Sequence, residues 1–137
     1  MQKLIISVLI LVAVIVAGSC TFIGQDKADN DPEGYKTINA EEAKMRIDSG
    51  DEPIIVDVRT PEEYKERHIP GAILIPNETI QESRPLELPD LDAEILIYCR
   101  SGNRSAQAAK KLSELGYTKL FDFGGIIDWP YETVSGN

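Results

Sequence analysis

Apolar and polar positions along the chain fall into two alternating rhythms. PIIVDV (53–58), AILI (72–75) and EILIY (94–98) are short continuous apolar runs, as expected of strands covered on both faces. Helical patterns lie between and after them. Asn39 can cap a helix with Glu42 three residues on; Ala43 and Ile47 then share a face, and Gly50 ends it. Thr60-Pro61-Glu62-Glu63 is a stronger start, with a Thr cap, Pro at the first position and Glu at the third. From Arg104 to Leu115 the period is again helical, with Ala108, Leu112 and Leu115 on one face and Gly116 as the stop. YKTI (35–38) and KLFDF (119–123) supply a first and a last strand. The alternation predicts one α/β domain over residues 35–134, built on a central, mostly parallel five-stranded sheet with helices on both faces. Ligands of such sheets bind beyond the carboxyl ends of the strands, and Cys99 lies at one of those ends.

The N-terminus breaks this rhythm. After Met1-Gln2-Lys3 the run LIISVLILVAVIVAG (4–18) is almost wholly apolar, and Ser19-Cys20 follows. A basic start, an apolar stretch and small residues before a cut describe a secretory signal. Cys20 directly after Ala17-Gly18-Ser19 resembles the lipobox of bacterial lipoproteins, in which that cysteine is lipidated and becomes the first mature residue. Ala17 departs from the leucine usual at its position. The expectation is a signal peptide over 1–19 and a lipid anchor on Cys20. The competing reading is an uncleaved membrane anchor, since Leu4 to Gly24 is an uncharged stretch of 21 residues and about 20 can span a bilayer. Both readings put Lys3 inside and the domain outside the cytoplasm, tethered to the bacterial membrane. Residues 20–34 have the polar, Gly/Pro-broken composition of a tether.

Composition narrows the functions. The chain of 137 residues carries a net charge of −9, so a nucleic-acid partner is not expected, because phosphate contacts need a basic face. Losing residues 1–19 would remove Lys3 and no acid. The body is thus acidic enough to be repelled by anionic lipid, and membrane contact is expected through the anchor alone. One histidine and two cysteines cannot build a clustered zinc site, and no metal or organic cofactor is implied.

The chemistry is expected at CRSGNRS (99–105). A strand-to-helix loop points backbone N–H groups into the space above the strand, and the next helix adds the positive end of its dipole. Gly102 lets the loop curl, and Arg100 and Arg104 add positive charge. These features favour a thiolate at Cys99 and make a cradle for an anion, a positive island in an acidic protein. An inert buried cysteine would need neither the arginines nor the glycine turn. An activated thiolate in an anion cradle suits phosphate ester hydrolysis through a cysteinyl phosphate, or transfer of a sulfane sulfur through a persulfide. Protein tyrosine phosphatases enclose one more residue between cysteine and arginine than the four found here, Arg100, Ser101, Gly102 and Asn103. The shorter loop suits one sulfur atom better than a tetrahedral phosphoryl group.

Four stretches in order, IIVDVRTPEEY (54–64), HIPGAILIP (68–76), ILIYCRSGNRS (95–105) and FGGIIDW (123–129), resemble the single-domain members of the rhodanese family. The resemblance runs from about Tyr35 to Trp129. It implies a rhodanese-like fold in which Cys99 carries a persulfide, the backbone of Arg100, Ser101, Gly102, Asn103 and Arg104 cradles it, and Asp57 and Arg59 brace the loop. Arg67 stands where many members have glycine. The segment ETIQESRPLELPDLDA (78–93) matches nothing specific.

The expected activity is transfer of a sulfane sulfur from a donor such as thiosulfate or polysulfide to cyanide or a thiol, with ping-pong kinetics and a monomeric enzyme. The alternatives are a phosphatase or arsenate reductase on the same fold, and a persulfide carrier or binding module without turnover. His68 reads as a structural residue at a turn, Phe123 and Trp129 as core, and Glu62, Glu63 and Glu66 as a solvated helix face with capping duty. With Cys20 lipidated, no internal disulfide could trap Cys99.

Overall fold

A computed structural model describes residues 32–137; the signal segment, Cys20 and most of the tether lie outside the described residues. The chain runs β1 (Lys36–Thr37), α1 (Ala40–Asp48), β2 (Ile54–Asp57), α2 (Pro61–Glu66), β3 (Ile73–Leu74), β4 (Glu94–Cys99), α3 (Asn103–Glu114) and β5 (Lys119–Gly125). Short 3₁₀ turns follow at Asn77–Thr79, after β3, and at Ile126–Asp128, after β5. The five strands form one sheet in the order β1-β5-β4-β2-β3, and every neighbouring pair is parallel. The α/β architecture expected from the sequence is therefore present, with shorter outer strands than the apolar runs suggested.

The helix starts form for the reasons their sequences give. The Asn39 side chain accepts a hydrogen bond from the Glu42 N–H at 2.8 Å. Thr60 and Glu63 make a reciprocal capping box, with Pro61 at the first helical position. The last helix departs from this pattern. Its cap is Gly102, at φ +104°, and no side chain caps the first turn.

The central strands split the core in two. On β4, Ile95, Ile97 and Cys99 face one side, where Val56, Val58, Leu120 and the α3 residues Ala108, Ala109 and Leu112 pack. Leu96 and Tyr98 face the other side, with Ile55, Phe121, Phe123, Trp129 and Ala43 of α1, and with Tyr64 of α2 against them. The strict alternation fixes the site, because a one-residue slip would exchange the two faces. Cys99 thus lies under α3, and its neighbour Tyr98 lies on the α1 and α2 side. The pairing of β4 with β5 shifts register between Ile97 and Cys99, which brings Cys99 opposite Gly125.

Candidate active site

Cys99 is the last residue of β4 and is 1% exposed. The chain then turns over its own sulfur. The Gly102 N–H donates to Cys99 Sγ at 3.0 Å, and the Ser105 hydroxyl lies 3.6 Å from it. The positive φ of Gly102 makes this curl cheap, and a side chain there would also meet Gly124 Cα at 3.5 Å. Beneath the loop, a Cβ on Gly125 would fall 2.3 Å from the Arg100 carbonyl oxygen and 2.6 Å from Ser101 Cα. The pair Gly124-Gly125 is thus a bare floor on which the loop rests. The stretch FGGIIDW assigns neither glycine a part in the site at the level of sequence; the signal is the doubled glycine at the end of a strand.

Asp57 and Arg59 form a buried pair beside the loop. Arg59 Nε and a terminal nitrogen reach both Asp57 oxygens at 2.6–3.1 Å, and the Arg59 backbone N–H binds Oδ1 at 3.0 Å. The same guanidinium donates to the Arg67 carbonyl at 2.5 Å and lies 5.7 Å from the Tyr98 ring. Burial works against the Arg59 charge, but the hydrogen bond and charge of Asp57 outweigh it and raise its pKa. Tyr98 is held strongly protonated by burial and by the Asp57 charge, and its hydroxyl accepts the Ile69 N–H. Asp57 and Arg59 therefore tie the end of β2 to β4 and to the turn before β3.

Arg104 behaves differently from its expected part. Both terminal nitrogens bind Glu63, at 2.7 and 2.8 Å, so the charge that lies within electrostatic reach of Cys99 is also paired with a carboxylate. Glu63 in turn is more than a solvated capping residue. The Arg104 hydrogen bond, acting against partial burial, holds its carboxyl pKa down at about 2. Nothing at the level of sequence joined two residues so far apart, and the capping role of Glu63 hid the second one.

A groove of about 550 Å³ opens beside the loop, lined by Arg59, Glu63, Glu66, Arg67, Arg100, Ile126 and Ile127. Arg100 and Arg67 are exposed there. Ser101 and Asn103 are exposed as well. Ser101 borders a second groove, shared with Gly124, Gly125, Asp128 and Tyr131. His68 takes no part in either groove. It is buried, stacked on the Tyr64 ring at 3.7 Å and bound through Nδ1 to the Tyr64 carbonyl, as its structural reading required. Phe123 and Trp129 are core residues.

A cysteine beneath a curled strand-to-helix loop, at the carboxyl edge of a parallel sheet and beside a groove that carries three arginines, defines a thiol-centred α/β domain. Residues 39–130 match the family described as the rhodanese-like domain, and the chain belongs to that family. It is 40% identical over 81 residues to the thiosulfate sulfurtransferase PspE of Escherichia coli, covering 59% of this chain and 78% of that protein. It is 32% identical over 108 residues to the thiosulfate sulfurtransferase GlpE of Pseudomonas fluorescens, covering 75% of this chain and 95% of that one. Among solved structures, a rhodanese with anions from E. coli superposes with a TM-score of 0.57 at 38% identity, over 61% of this chain and 99% of that one. The chain is accordingly a rhodanese-type sulfurtransferase.

Proposed function

We propose that Cys99 carries sulfane sulfur as a persulfide, taken from a donor such as thiosulfate or a polysulfide and passed to cyanide or a thiol. The Cys99 thiolate attacks the outer sulfur of thiosulfate; the sulfur–sulfur bond of the donor breaks, and sulfite leaves with its electron pair. An acceptor nucleophile then attacks the terminal sulfur, and Cys99 leaves as thiolate. No net oxidation and no cofactor is needed. Supporting this reading above all is the Gly102 N–H at 3.0 Å from Sγ, because the same curl of loop that holds one sulfur can hold a second above it. Arg100 and Arg67 in the adjoining groove suit an anionic donor. In this reading Ser101, Asn103 and Arg104 bind substrate through the loop backbone, and Asp57 and Arg59 brace it.

We also propose that the domain over residues 35–134 works outside the cytoplasm as a monomer on a lipid anchor at Cys20. The location and anchor rest on the sequence of residues 1–34 alone. Intact mass tests the chemistry. Incubation with thiosulfate should add one sulfur atom to Cys99, and cyanide should remove it with release of thiocyanate. A mass unchanged by thiosulfate and by polysulfide overturns the proposal, and a sulfur atom that no acceptor removes leaves a carrier without turnover.

A further inference from the structure

Asp122 is the buried carboxyl group that the chemistry above does not use. It sits on β5, in register with Ile97 of β4 and Thr37 of β1, and is 5% exposed. Its neighbours Phe121 and Phe123 point to the α1 side, so alternation turns Asp122 toward α3 and Cys99. Among the described residues no lysine, arginine or histidine pairs with it. Burying a carboxyl group without a cation is costly, and an apolar residue would fill a strand between two helical layers at no such cost.

What the carboxyl group holds explains its presence. The Gly124 N–H donates to Oδ1 at 3.0 Å. The Ser105 hydroxyl lies close enough to favour the charged carboxylate, and it donates to the carbonyl of the same Gly124 at 3.4 Å. Burial pushes the Asp122 pKa up, and these two hydrogen bonds work against that push. Each partner is a wall of the sulfur site. Gly124 begins the glycine floor, 3.5 Å from where a side chain on Gly102 would lie. Ser105 is fully buried in the first turn of α3, with Oγ 3.6 Å from Cys99 Sγ and 3.0 Å from the Gly102 carbonyl. Ser105 has a single hydroxyl proton, with the Gly102 and Gly124 carbonyls as acceptors at 3.0 and 3.4 Å. Ser105 and Gly124 thus fix where Sγ lies beneath the Gly102 N–H.

We infer that Asp122 is a positioning residue for Cys99: it clamps Ser105 and Gly124 together, so that the sulfur is held under the Gly102 N–H. It acts through Ser105 and the glycine floor and touches neither sulfur nor substrate. The inference rests on the reading of Cys99 as the reacting thiol, and its test is independent of whether sulfur is transferred.

The test is the rate of iodoacetamide alkylation at Cys99, read from the mass of its peptide, with thiosulfate:cyanide turnover measured in parallel. Asp122→Ala and Ser105→Ala should each slow alkylation about fivefold, the order expected for one buried hydrogen bond. Asp122→Asn keeps an acceptor oxygen for the Gly124 N–H and should slow alkylation less than Asp122→Ala does. The double variant Ser105→Ala/Asp122→Ala should be no slower than the slower single one, because both act through one contact. Circular dichroism checks that each variant is folded. If Asp122→Ala does not fold, Asp122→Ser decides instead, with one shorter hydroxyl in place of two carboxyl oxygens; it should slow alkylation to the same degree. A variant that melts lower but alkylates at the normal rate makes Asp122 merely structural and overturns the inference, as do losses that multiply in the double variant. If the unaltered protein takes up no sulfur while the alkylation pattern holds, the proposed sulfur transfer fails and the positioning role stands.

Discussion

Arg104 in the first turn of α3 grips Glu63 of α2 with both terminal nitrogens, at 2.7 and 2.8 Å, across 41 residues of chain. The bridge pins the helix that follows the sulfur loop to the helix that follows β2. It also reassigns the charge of the site. The cation expected to face the sulfur also grips a carboxylate, so in the proposed reading an anionic donor is met by the loop backbone, the helix end and the exposed Arg100 and Arg67.

This bridge makes stability depend on acid. The Glu63 pKa lies at about 2 in the folded protein against an ordinary 4.5. A depressed carboxyl pKa stabilises the fold fully above the unfolded value, and that contribution is lost as pH falls from 4.5 toward about 2. The pair is partly solvated, with both side chains 26% exposed, so its worth is discounted to about 1 kcal/mol. Glu63→Gln should therefore lower stability by about that amount at neutral pH, and flatten the acid limb of urea unfolding between pH 4.5 and 2. An acid limb as steep in the variant as in the unaltered protein would show that Glu63 is not the group responsible.

Removing only the cation should do more harm than removing the pair. Arg104→Ala leaves Glu63 unpaired in the wall of the groove, where it repels an anionic donor. The KM for thiosulfate should rise about tenfold, and adding Glu63→Gln should restore most of it. Steady-state kinetics on the two singles and the double measure this. A double variant as poor as Arg104→Ala would mean that Arg104 itself, and not the exposed carboxylate, matters to the donor.

Gly125→Ala should damage the site more than the fold. The added methyl would lie 2.3 Å from the Arg100 carbonyl oxygen, a contact with backbone that cannot rotate away. The loop must lift, which costs on the order of 1–3 kcal/mol in stability. It also moves the Gly102 N–H off the sulfur. Sulfur transfer should fall by at least about tenfold in protein that still unfolds cooperatively in urea. Full activity in this variant would show that the glycine floor does not set the loop height.

Most of the frame was legible because each element carries its own local signal. The Thr60-Pro61-Glu63 start and the Asn39 cap appear as read. PIIVDV and EILIY became the central strands β2 and β4, since residues covered on both faces leave no alternation to misread, while AILI became the two-residue edge strand β3. The site was legible where the chain itself holds it, at Cys99 with its loop and at Asp57 with Arg59, two residues apart. What was hidden depends on contacts across the sheet. Asp122 lies in FDF, a pattern that reads as one polar face of a strand, yet both faces are covered and it is buried. β5 runs two residues beyond its predicted end, and its register shift against β4 is what brings Gly125 under the loop.

The anchor can be tested apart from the chemistry. If Cys20 is lipidated, Cys20→Ala should release the domain from the membrane fraction or leave its signal uncut, with sulfur uptake at Cys99 intact. Mass spectrometry of the N-terminal peptide decides. An unmodified Cys20 in a chain still beginning at Met1 would replace the lipid by a spanning anchor.

Loop length separates sulfur transfer from phosphate chemistry on this frame. Four residues lie between Cys99 and Arg104, and the loop they form brings the Gly102 N–H to 3.0 Å from Sγ. A transferring phosphoryl group spreads charge over three equatorial oxygens, each needing donors, whereas one outer sulfur needs fewer. The unaltered protein should turn over thiosulfate with cyanide and show negligible hydrolysis of aryl phosphates. One glycine inserted between Ser101 and Gly102 should widen the curl and draw the Gly102 N–H away from the sulfur. Because α3 is pinned through Arg104 to Glu63, the extra residue must be taken up in the loop and not by sliding the helix. Sulfur transfer should then fall by at least about tenfold, the cost of one misplaced donor to a developing charge. Efficient aryl phosphate hydrolysis by the unaltered protein, or undiminished sulfur transfer after the insertion, would mean that the size of the curl does not select the reaction.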